Sequence, residues 1–378
     1  MLTRKDFFKG LALGTISLPF AIRMFGGKNH AQETTTFKTT EKKYNWKMVT
    51  TWPPNFPILG EGCTKFANLV KEMSQGQMEI TVYGGGELVP PLEVFDAVGS
   101  GAAEIGHGAG YYWAGKIPAA QFFASVPFGM NAQQMNAWML SGGGLELWQE
   151  IYEPYNLHPM PCGNTGVQMG GWFNKEINTI EDFEGLKMRM PGLGGKVLER
   201  AGGTPVLLAG SELYTGLERG IIDATEWIGP YHDYKMGFHE IAKYYYTPGW
   251  HEPGTVLEVI FNKEKFAALP RHLQVIMETA ALRCNNWMLA EQEALNGDSL
   301  RKLIDEEGVE VRKFSEEILD TLRTYTDEFI AEITATDPTS KRVYESYHRF
   351  RKNVANWSNL TEKEFYTKLQ KVEPRQNN

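Results

Sequence analysis

The segment that decides the fold begins with the alternating stretch Trp46-Lys-Met-Val-Thr-Thr-Trp52 and continues to a second one, Met78-Glu-Ile-Thr-Val-Tyr83. Alternation of this kind predicts two β-strands. The residues between them predict a helix that ends at Gly76, because apolar side chains recur there at helical spacing: Leu59, Cys63, Phe66, Val70 and Met73. A helix from Pro90 and Pro91 to Val98 and a short strand from Ala103 to Gly108 follow. The order β-α-β-α-β predicts a parallel sheet.

A second α/β set follows a change of pattern at Leu157. An extended stretch runs from there to Trp172, and the new set begins at Gly185-Leu-Lys-Met-Arg-Met190. The stretch Glu258-Val-Ile-Phe-Asn-Lys-Glu264 echoes Gly170-Gly-Trp-Phe-Asn-Lys-Glu176, so the two are expected to be neighbouring strands of the second lobe. With residues 222–228 as another extended segment, the pattern indicates a chain that passes between two lobes more than once, as in hinge-closing binding proteins.

The C-terminal third is predicted to be helical. One long helix is expected from Pro270 to about Leu303, followed by a short strand from Val309 to Phe314. Ser315 is expected to cap the next helix, and Thr361 with Glu364 to form a capping box. An apolar face of these helices favours a homodimer contact, or else it covers the sheets of the same chain.

The N-terminus has the features of an export signal. A basic start with Arg4 and Lys5 precedes an apolar run from Leu11 to Ile22, which is too short to span a membrane. The signal resembles a degenerate twin-arginine signal, Sec export remains the alternative, and cleavage is expected near Ala31.

These patterns predict an α/β protein with a bilobal periplasmic-binding-protein fold: two sheet-and-helix lobes, crossing strands at a hinge and a long C-terminal helix. The expected organisation is an export signal at 1–31, a disordered tether at 32–43, mainly lobe one at 44–163 and mainly lobe two at 164–227. Crossing segments that return to lobe two are expected at 228–269, and a helical region that completes the lobes at 270–378.

Composition and motifs argue against several function classes. The net charge of -8 comes without a basic stretch, which argues against nucleic-acid binding. The sequence lacks a Gly-x-Ser-x-Gly elbow, a P-loop and a dinucleotide glycine fingerprint, so an enzyme is not expected. An enzyme using Cys162 with a remote histidine stays as an alternative. The adjacent pairs His232-Asp233, His239-Glu240 and His251-Glu252 lack the i, i+4 spacing of helical metal ligands, so a transition-metal site is not expected.

Arg189 is the first candidate binding residue. It lies between Met188 and Met190 in a predicted strand, so its side chain points to the opposite face, and a helix is expected after Gly192. The planar guanidinium can hold a carboxylate through two parallel hydrogen bonds, and the helix N-terminus adds a favourable potential. An internal salt bridge is the alternative.

Glu226 is the second candidate. It lies beside Trp227 in an apolar segment, where an unpaired carboxylate would be costly, so it needs an arginine or a cation. A ligand carboxylate on Arg189 would be repelled by Glu226 unless a metal ion joined them, and Gln168 could supply a neutral oxygen. A ligand at -1, Glu226 at -1 and Arg189 at +1 leave a formal charge of -1, which favours Na⁺ over Ca²⁺.

At these residues the chain resembles the periplasmic solute-binding subunits of TRAP transporters, the DctP-type family, in the branch for 2-oxo and 2-hydroxy monocarboxylates. The resemblance extends from Trp46 to about Trp287. Its most specific stretches are residues 163–173, 185–197 and 223–253.

The resemblance implies that Arg189 holds the ligand carboxylate and that Gln168 and Glu226 are side-chain ligands of a cation. It also implies that Trp227 contributes its backbone carbonyl to the cation and lines the pocket. Further pocket positions are implied at Tyr112, Asn164, Trp250 and His251. The partners implied are membrane permease subunits driven by an ion gradient, and a second copy swapped through the long C-terminal helix.

The residues and the resemblance together therefore predict that the protein captures pyruvate, lactate or a longer 2-oxo acid together with a cation. The alternatives are a binding protein for a dicarboxylate, sugar acid or amino acid without a metal, and a structural protein with no small ligand.

Overall fold

The computed structural model describes residues 42–370. The predicted export signal at 1–31, the cleavage near Ala31 and most of the tether at 32–43 lie outside the described residues. Within residues 42–370, no helix combines the length and the apolar character needed to cross a membrane.

The described chain alternates strands and helices in its first two thirds and is mainly helical in its last third. The strands are β1 (Tyr44–Thr50), β2 (Met78–Tyr83), β3 (Ile105–Gly108), β4 (Leu157–Asn164), β5 (Gly171–Phe173), β6 (Lys187–Arg189), β7 (Thr204–Val206), β8 (Ala224–Thr225), β9 (Tyr244–Thr247), β10 (Val256–Asn262) and β11 (Glu310–Lys313). The helices are α1 (Leu59–Met73), α2 (Val94–Gly99), α3 (Gln121–Ala124), α4 (Ala132–Ser141), α5 (Gly144–Tyr152), α6 (Gly192–Arg200), α7 (Leu213–Glu218), α8 (Pro230–Met236), α9 (Lys263–Ala267), α10 (Arg271–Asp305), α11 (Glu316–Thr336), α12 (Pro338–Leu360) and α13 (Glu362–Glu364).

The first sheet has the strand order β2-β1-β3-β10-β4. Strands β2 and β3 both pair in parallel with β1, so the parallel β-α-β-α-β unit predicted from residues 46–108 is confirmed. The helix α1 between β1 and β2 buries Cys63, Phe66 and Val70 completely, as its apolar spacing predicts.

The second sheet has the strand order β11-β9-β5-β8-β6-β7. Its strands β6, β7 and β8 are parallel, whereas β5 is antiparallel to both β8 and β9. Two sheets covered by helices, together with the long helix α10, confirm the predicted α/β class. The lobe boundaries given above stay predictions.

The predicted pairing of residues 258–264 with residues 170–176 is wrong. Strand β10 lies in the first sheet, between β3 and β4, and is antiparallel to both, whereas β5 lies in the second sheet. All seven residues of β10 are buried, which suits a central strand covered on both faces. The echo between the two stretches reflects a shared strand-and-turn pattern, which does not encode the pairing partner.

The chain passes from the first sheet to the second between β4 and β5 and returns between β9 and β10. These two crossing segments, residues 165–170 and 248–255, are hydrogen-bonded to each other. Thr165 N donates to Thr255 O at 3.0 Å, and Gln168 N donates to Glu252 O at 3.2 Å. A Cβ atom on Gly249 would lie 2.2 Å from the carbonyl oxygen of Gln168, so only glycine permits this close approach.

The C-terminal helices fit the predictions except at the end. The helix α10 covers 35 residues and packs on β4 and α1, and Ser315 caps α11 by accepting a hydrogen bond from Ile318 N at 3.2 Å. The predicted capping box at Thr361 is wrong, because its hydroxyl donates to Trp357 O at 2.9 Å and so bonds backward along α12.

Candidate functional site

Arg189 is the last residue of β6, which lies between β7 and β8 in the second sheet. Its side chain is 1% exposed, and the helix α6 begins at Gly192, as predicted. A guanidinium at this depth requires partners for its charge and for its N–H groups, because an unpaired buried charge is very costly.

The main partner of Arg189 is Glu226, which directly follows β8 and is 0% exposed. The Nη1 atom of Arg189 contacts Oε1 of Glu226 and also donates to the Glu226 carbonyl oxygen at 3.4 Å. Burial disfavours the guanidinium charge, but the nearby charges of Glu226 and Glu252 and the phenols of Tyr112 and Tyr111 together outweigh it, so the pKa of Arg189 lies above its ordinary value. The internal salt bridge that the sequence left as an alternative is therefore present.

Aromatic side chains enclose this pair. Nη2 of Arg189 donates to the hydroxyl of Tyr112 at 3.2 Å, and the guanidinium lies 5.2 Å from the ring centroid of Trp227. Tyr111 packs edge-on against Tyr112, with ring centroids 4.8 Å apart. Burial raises the pKa of Tyr112, so its hydroxyl keeps its proton and can donate it to a ligand oxygen.

Two further buried groups, His251 and Glu252, meet Glu226 beside the pair. Glu226, His251 and Glu252 each direct one possible ligand atom to a common place, with these atoms within 4.8 Å of one another. Nε2 of His251 lies 3.4 Å from Oε2 of Glu226. Burial, and then the nearby charge of Glu226, raises the pKa of Glu252 to about 7.

Gln168 joins this cluster from the first crossing segment. Its Nε2 donates to Oε2 of Glu252 at 2.8 Å and to the hydroxyl of Thr165 at 3.1 Å. Thr255, on the returning segment, donates its hydroxyl to the same carboxylate oxygen of Glu252. The two crossing segments therefore meet at the site as well as along their backbones.

The donor set fits a hard cation. Oε1 of Gln168 and Oε2 of Glu226 are buried and accept no hydrogen bond from any described residue. Amide and carboxylate oxygens are the ligands that Na⁺ and Ca²⁺ prefer, and a cation between them would satisfy both atoms. The chemistry of these residues therefore suits the cation that the sequence predicted.

Glu252 changes the charge count on which the preference for Na⁺ rested. A ligand carboxylate, Glu226 and ionised Glu252 at -1 each, with Arg189 at +1, give a formal charge of -2, which suits a divalent ion. With Glu252 protonated the count is -1, which suits a monovalent ion. The count therefore does not discriminate between Na⁺ and Ca²⁺.

Asn164 and Trp250 contact residues around the Arg189–Glu226 pair: Asn164 bonds the crossing segment, and Trp250 packs on Phe128 and His251. Asn164 ends β4 and accepts a hydrogen bond from Gly166 N at 2.8 Å, which shapes the start of the crossing segment. The ring of Trp250 stacks on Phe128 at 5.8 Å and packs edge-on against His251 at 5.5 Å. Their roles as pocket residues stay predictions.

Glu252 is the residue that the sequence analysis missed as a candidate ligand. The adjacent spacing of His251 and Glu252 does not place two ligands on one helix face, so the sequence predicts no transition-metal site there. The segment is a turn between β9 and β10, in which Glu252 N donates to Gly249 O at 3.3 Å, so that criterion does not apply. The usable signal was the argument made for Glu226: a carboxylate in an apolar segment between Trp250 and Pro253 needs a partner.

Cys162, the nucleophile of the alternative enzyme hypothesis, lies in β4 with no exposed surface. Burial raises the pKa of its thiol well above the ordinary value, which disfavours the reactive thiolate. Its environment therefore argues against nucleophilic chemistry. Cys63 and Cys284 are buried free thiols as well.

Comparison with known proteins shows extensive similarity. A family model described as "Bacterial extracellular solute-binding protein, family 7" matches residues 48–337. A monocarboxylate 2-oxoacid-binding periplasmic protein of Nostoc sp. is 44% identical over 317 residues, which are 84% of this chain and 86% of the relative.

Two solved structures share the fold closely. A TRAP periplasmic solute-binding protein from Colwellia psychrerythraea, with bound calcium and pyruvate, has a TM-score of 0.84 and 42% identity over 86% of this chain and 99% of the other. One from Pseudoalteromonas atlantica, with bound sodium and pyruvate, has a TM-score of 0.84 and 42% identity over 88% of this chain and 100% of the other. The predicted fold class and family resemblance are confirmed.

Removing the carboxylate of Glu226 should destabilise the protein strongly. In Glu226→Ala the buried guanidinium of Arg189 loses its main counter-charge, so we expect the free energy of unfolding to fall by about 3–5 kcal/mol. Urea unfolding of the ligand-free protein measures this. The control is Glu199→Ala, which breaks the exposed Lys196–Glu199 pair of 2.9 Å and should cost less than about 1 kcal/mol. Equal losses in both variants would contradict the burial argument.

Proposed function

Because the chain belongs to the bacterial extracellular solute-binding protein family 7, we propose that it binds a small 2-oxo or 2-hydroxy monocarboxylate together with a metal cation. We further propose that it does so in the periplasm and delivers the acid to the membrane permease subunits of a TRAP transporter. The observation that carries the proposal is the buried guanidinium of Arg189 beside the buried carboxylates of Glu226 and Glu252.

Arg189 is the proposed anchor of the ligand carboxylate. Its Nη2 already bonds the hydroxyl of Tyr112, and its Nε has no partner among the described residues, so the guanidinium retains donor capacity for an anion. The aromatic ring of Trp227 and the phenols of Tyr111 and Tyr112 exclude water, which strengthens the charge interaction.

Gln168, Glu226 and the backbone carbonyl of Trp227 are the proposed cation ligands, and the geometry adds Glu252 as a fourth. A bound cation supplies the positive charge that offsets repulsion between these carboxylates and the ligand. The residues themselves orient the acid: Arg189 holds the carboxylate, and Tyr112 can donate to a ligand oxygen. The relatives with pyruvate carry calcium in one structure and sodium in the other, so both ions belong in the test.

The binding is proposed to be reversible, without chemical conversion of the acid. The family is one of transport proteins. The thiol of Cys162 is buried, and burial raises its pKa well above the ordinary value, so the thiol stays protonated. Gln168 and Glu252 lie on the two crossing segments, so the ligand and the cation would contact both segments that connect the two sheets. A ligand shifts an equilibrium between open and closed lobes only by its differential affinity for the two states.

Substitution of Arg189 tests the anion anchor. We expect Arg189→Ala to weaken pyruvate binding by on the order of 100-fold or more, because the ligand loses its charge-assisted hydrogen bonds. Arg189→Lys should not restore the affinity, since an ammonium group cannot form two parallel hydrogen bonds to one carboxylate. Isothermal titration calorimetry measures both, with pyruvate, lactate and longer 2-oxo acids.

The control for this experiment is Arg200→Ala, which removes a partly exposed arginine from the C-terminal end of α6, where it pairs with Glu328, and should leave the affinity unchanged. Wild-type affinity in Arg189→Ala would overturn the site assignment. Tighter binding of a dicarboxylate, sugar acid or amino acid by the wild-type protein would favour the alternative ligand class.

Removal of the cation tests the proposed cation-binding residues. We expect acid binding by the wild-type protein to fall at least about tenfold after chelation and dialysis into a buffer free of Na⁺ and Ca²⁺, because Glu226 and Glu252 then repel the ligand. Adding back Na⁺ or Ca²⁺ should restore it and identify the ion. Glu252→Gln should reduce the cation dependence, and binding that ignores cations would contradict the proposal.

A homodimer is also proposed, with its contact at the end of the described chain rather than along the long helix α10 that the resemblance implies. The helices α11 and α12 bury Ile330, Val343 and Tyr347 against their own chain, which fits the alternative that these helices cover the same chain. Beyond that contact, large apolar side chains are exposed at the end of the described chain: Trp357, Leu360, Phe365, Tyr366 and Leu369. A cluster of this kind is typical of a surface that another protein covers, and a second copy is the proposed occupant.

Sedimentation equilibrium tests the dimer. Trp357→Ser with Leu360→Ser should shift the protein from dimer to monomer, because the apolar contact area is lost. Leu88→Ser, at an exposed apolar residue outside this cluster, should leave the mass unchanged. A monomeric wild-type protein at micromolar concentration would contradict the proposal.

A further inference from the structure

A buried carboxyl group lies outside the site described above. Glu258 is in the middle of β10, is 0% exposed and lies between β3 and β4. Its Oε1 accepts hydrogen bonds from Nε1 of Trp113 and, at 3.4 Å, from the hydroxyl of Tyr152. Oε2 has no hydrogen-bond partner among the described residues. Burial raises the pKa of Glu258 to about 7. A carboxyl retained in an apolar core with only neutral donors requires an explanation.

The two donors support both ends of one short turn. Residues Gly110–Trp113 form a 3-10 turn after β3, and Trp113 is its last residue. At the other end, the Tyr152 hydroxyl lies 3.3 Å from where a Cβ atom on Gly110 would be, and the Ala120 carbonyl oxygen lies 2.8 Å from it. The turn is therefore packed tightly against the groups that Glu258 holds.

The same turn carries a residue of the candidate binding site. Tyr112 lies within it, and the hydroxyl of Tyr112 accepts the hydrogen bond from Nη2 of Arg189 at 3.2 Å. The ring of Tyr112 also packs edge-on against the ring of Trp113, with centroids 6.0 Å apart. A shift of Trp113 would therefore move Tyr112 relative to the guanidinium.

We propose that Glu258 is a positioning residue for the anion site: it holds Trp113 and Tyr152, and through them the turn that directs Tyr112 to Arg189. This inference rests on the proposed function, because its effect on affinity requires that Arg189 bind the ligand. Glu258 itself does not touch the ligand. An apolar residue in its place would leave the indole N–H and the phenol hydroxyl buried without an acceptor, so both rings would have to move.

Two substitutions of Glu258 distinguish the loss of its hydrogen-bond acceptor from a change in side-chain shape. Glu258→Gln keeps an oxygen that accepts from Trp113, so pyruvate affinity should stay within about threefold of wild type. Glu258→Leu removes the acceptor, and the affinity should fall about tenfold or more. Calorimetry with pyruvate and saturating cation measures both. Equal affinity of the leucine variant and the wild-type protein would overturn the proposal.

A matched control distinguishes positioning from general destabilisation. Asn262 is buried in the same strand and donates to Val98 O at 2.8 Å, away from the turn. Asn262→Leu should lower the unfolding free energy without changing the affinity. If Glu258→Leu does not fold, Trp113→Phe removes the same hydrogen bond from the donor side and should give the same loss of affinity.

A double-mutant cycle tests whether Glu258 acts through Tyr112. In a Tyr112→Phe background, Glu258→Leu should cost less than about twofold in affinity, because the hydroxyl that it positions is already absent. Full additivity of the two losses would contradict the proposed path.

Hydrogen exchange of the ligand-free protein tests the positioning role of Glu258 independently of ligand binding. The amides of residues 110–114 should exchange at least about tenfold faster in Glu258→Leu than in the wild-type protein, and not in Glu258→Gln. If the wild-type protein binds no acid, the proposed function fails, and exchange alone decides whether Glu258 orders the turn. Unchanged exchange in the leucine variant would overturn the positioning role.

Discussion

The burial of the Arg189 guanidinium is the constraint on which the site depends. A charge that is 1% exposed has to be balanced by protein groups or by a ligand, and Glu226, Tyr112 and Trp227 are arranged around it for that purpose. When Glu252 is ionised, it adds a second negative charge, which is more than one arginine can balance. The excess makes a cation favourable, and the cation in turn allows a carboxylate ligand to lie beside two carboxylates. In the proposed complex, anion and cation are therefore coupled, because each offsets the charge of the other.

The two crossing segments supply the framework for this coupling. Gln168 lies on the segment that leaves the first sheet and Glu252 on the one that returns to it, and backbone hydrogen bonds join them side by side. Gly249 permits the close approach because a Cβ atom there would clash with the carbonyl of Gln168. Arg189 and Glu226 come instead from the ends of the adjacent strands β6 and β8 of the second sheet. The proposed cation ligands thus lie on the two crossing segments and directly after β8, where the chain passes between the two sheets.

Buried carboxyl groups have different environments in this molecule. Glu226 contacts a guanidinium, Glu252 accepts hydrogen bonds from an amide and a hydroxyl, and Glu258 accepts from an indole and a phenol. The first two lie in the site, whereas the third lies in the first sheet and reaches the site through the turn at residues 110–113. In each case the cost of burying the carboxyl is offset by donors that it fixes in position, so each carboxyl orders the groups around it.

The sequence by itself determined the elements and the principal charged pair. Local periodicity predicted the parallel β-α-β-α-β unit and the long helix, and Arg189 and Glu226 stood out because charged residues between apolar neighbours need partners. The tertiary structure decided what depends on contacts between distant residues. It placed β10 in the first sheet rather than beside β5, since strand pairing is set by packing that a shared local pattern does not encode. It brought Glu252 to Glu226, which changed the charge count, and Glu258 to Trp113, which lie 145 residues apart in the chain. These contacts join residues that are distant in the sequence, and they depend on the tertiary structure, which spacing along the chain does not encode.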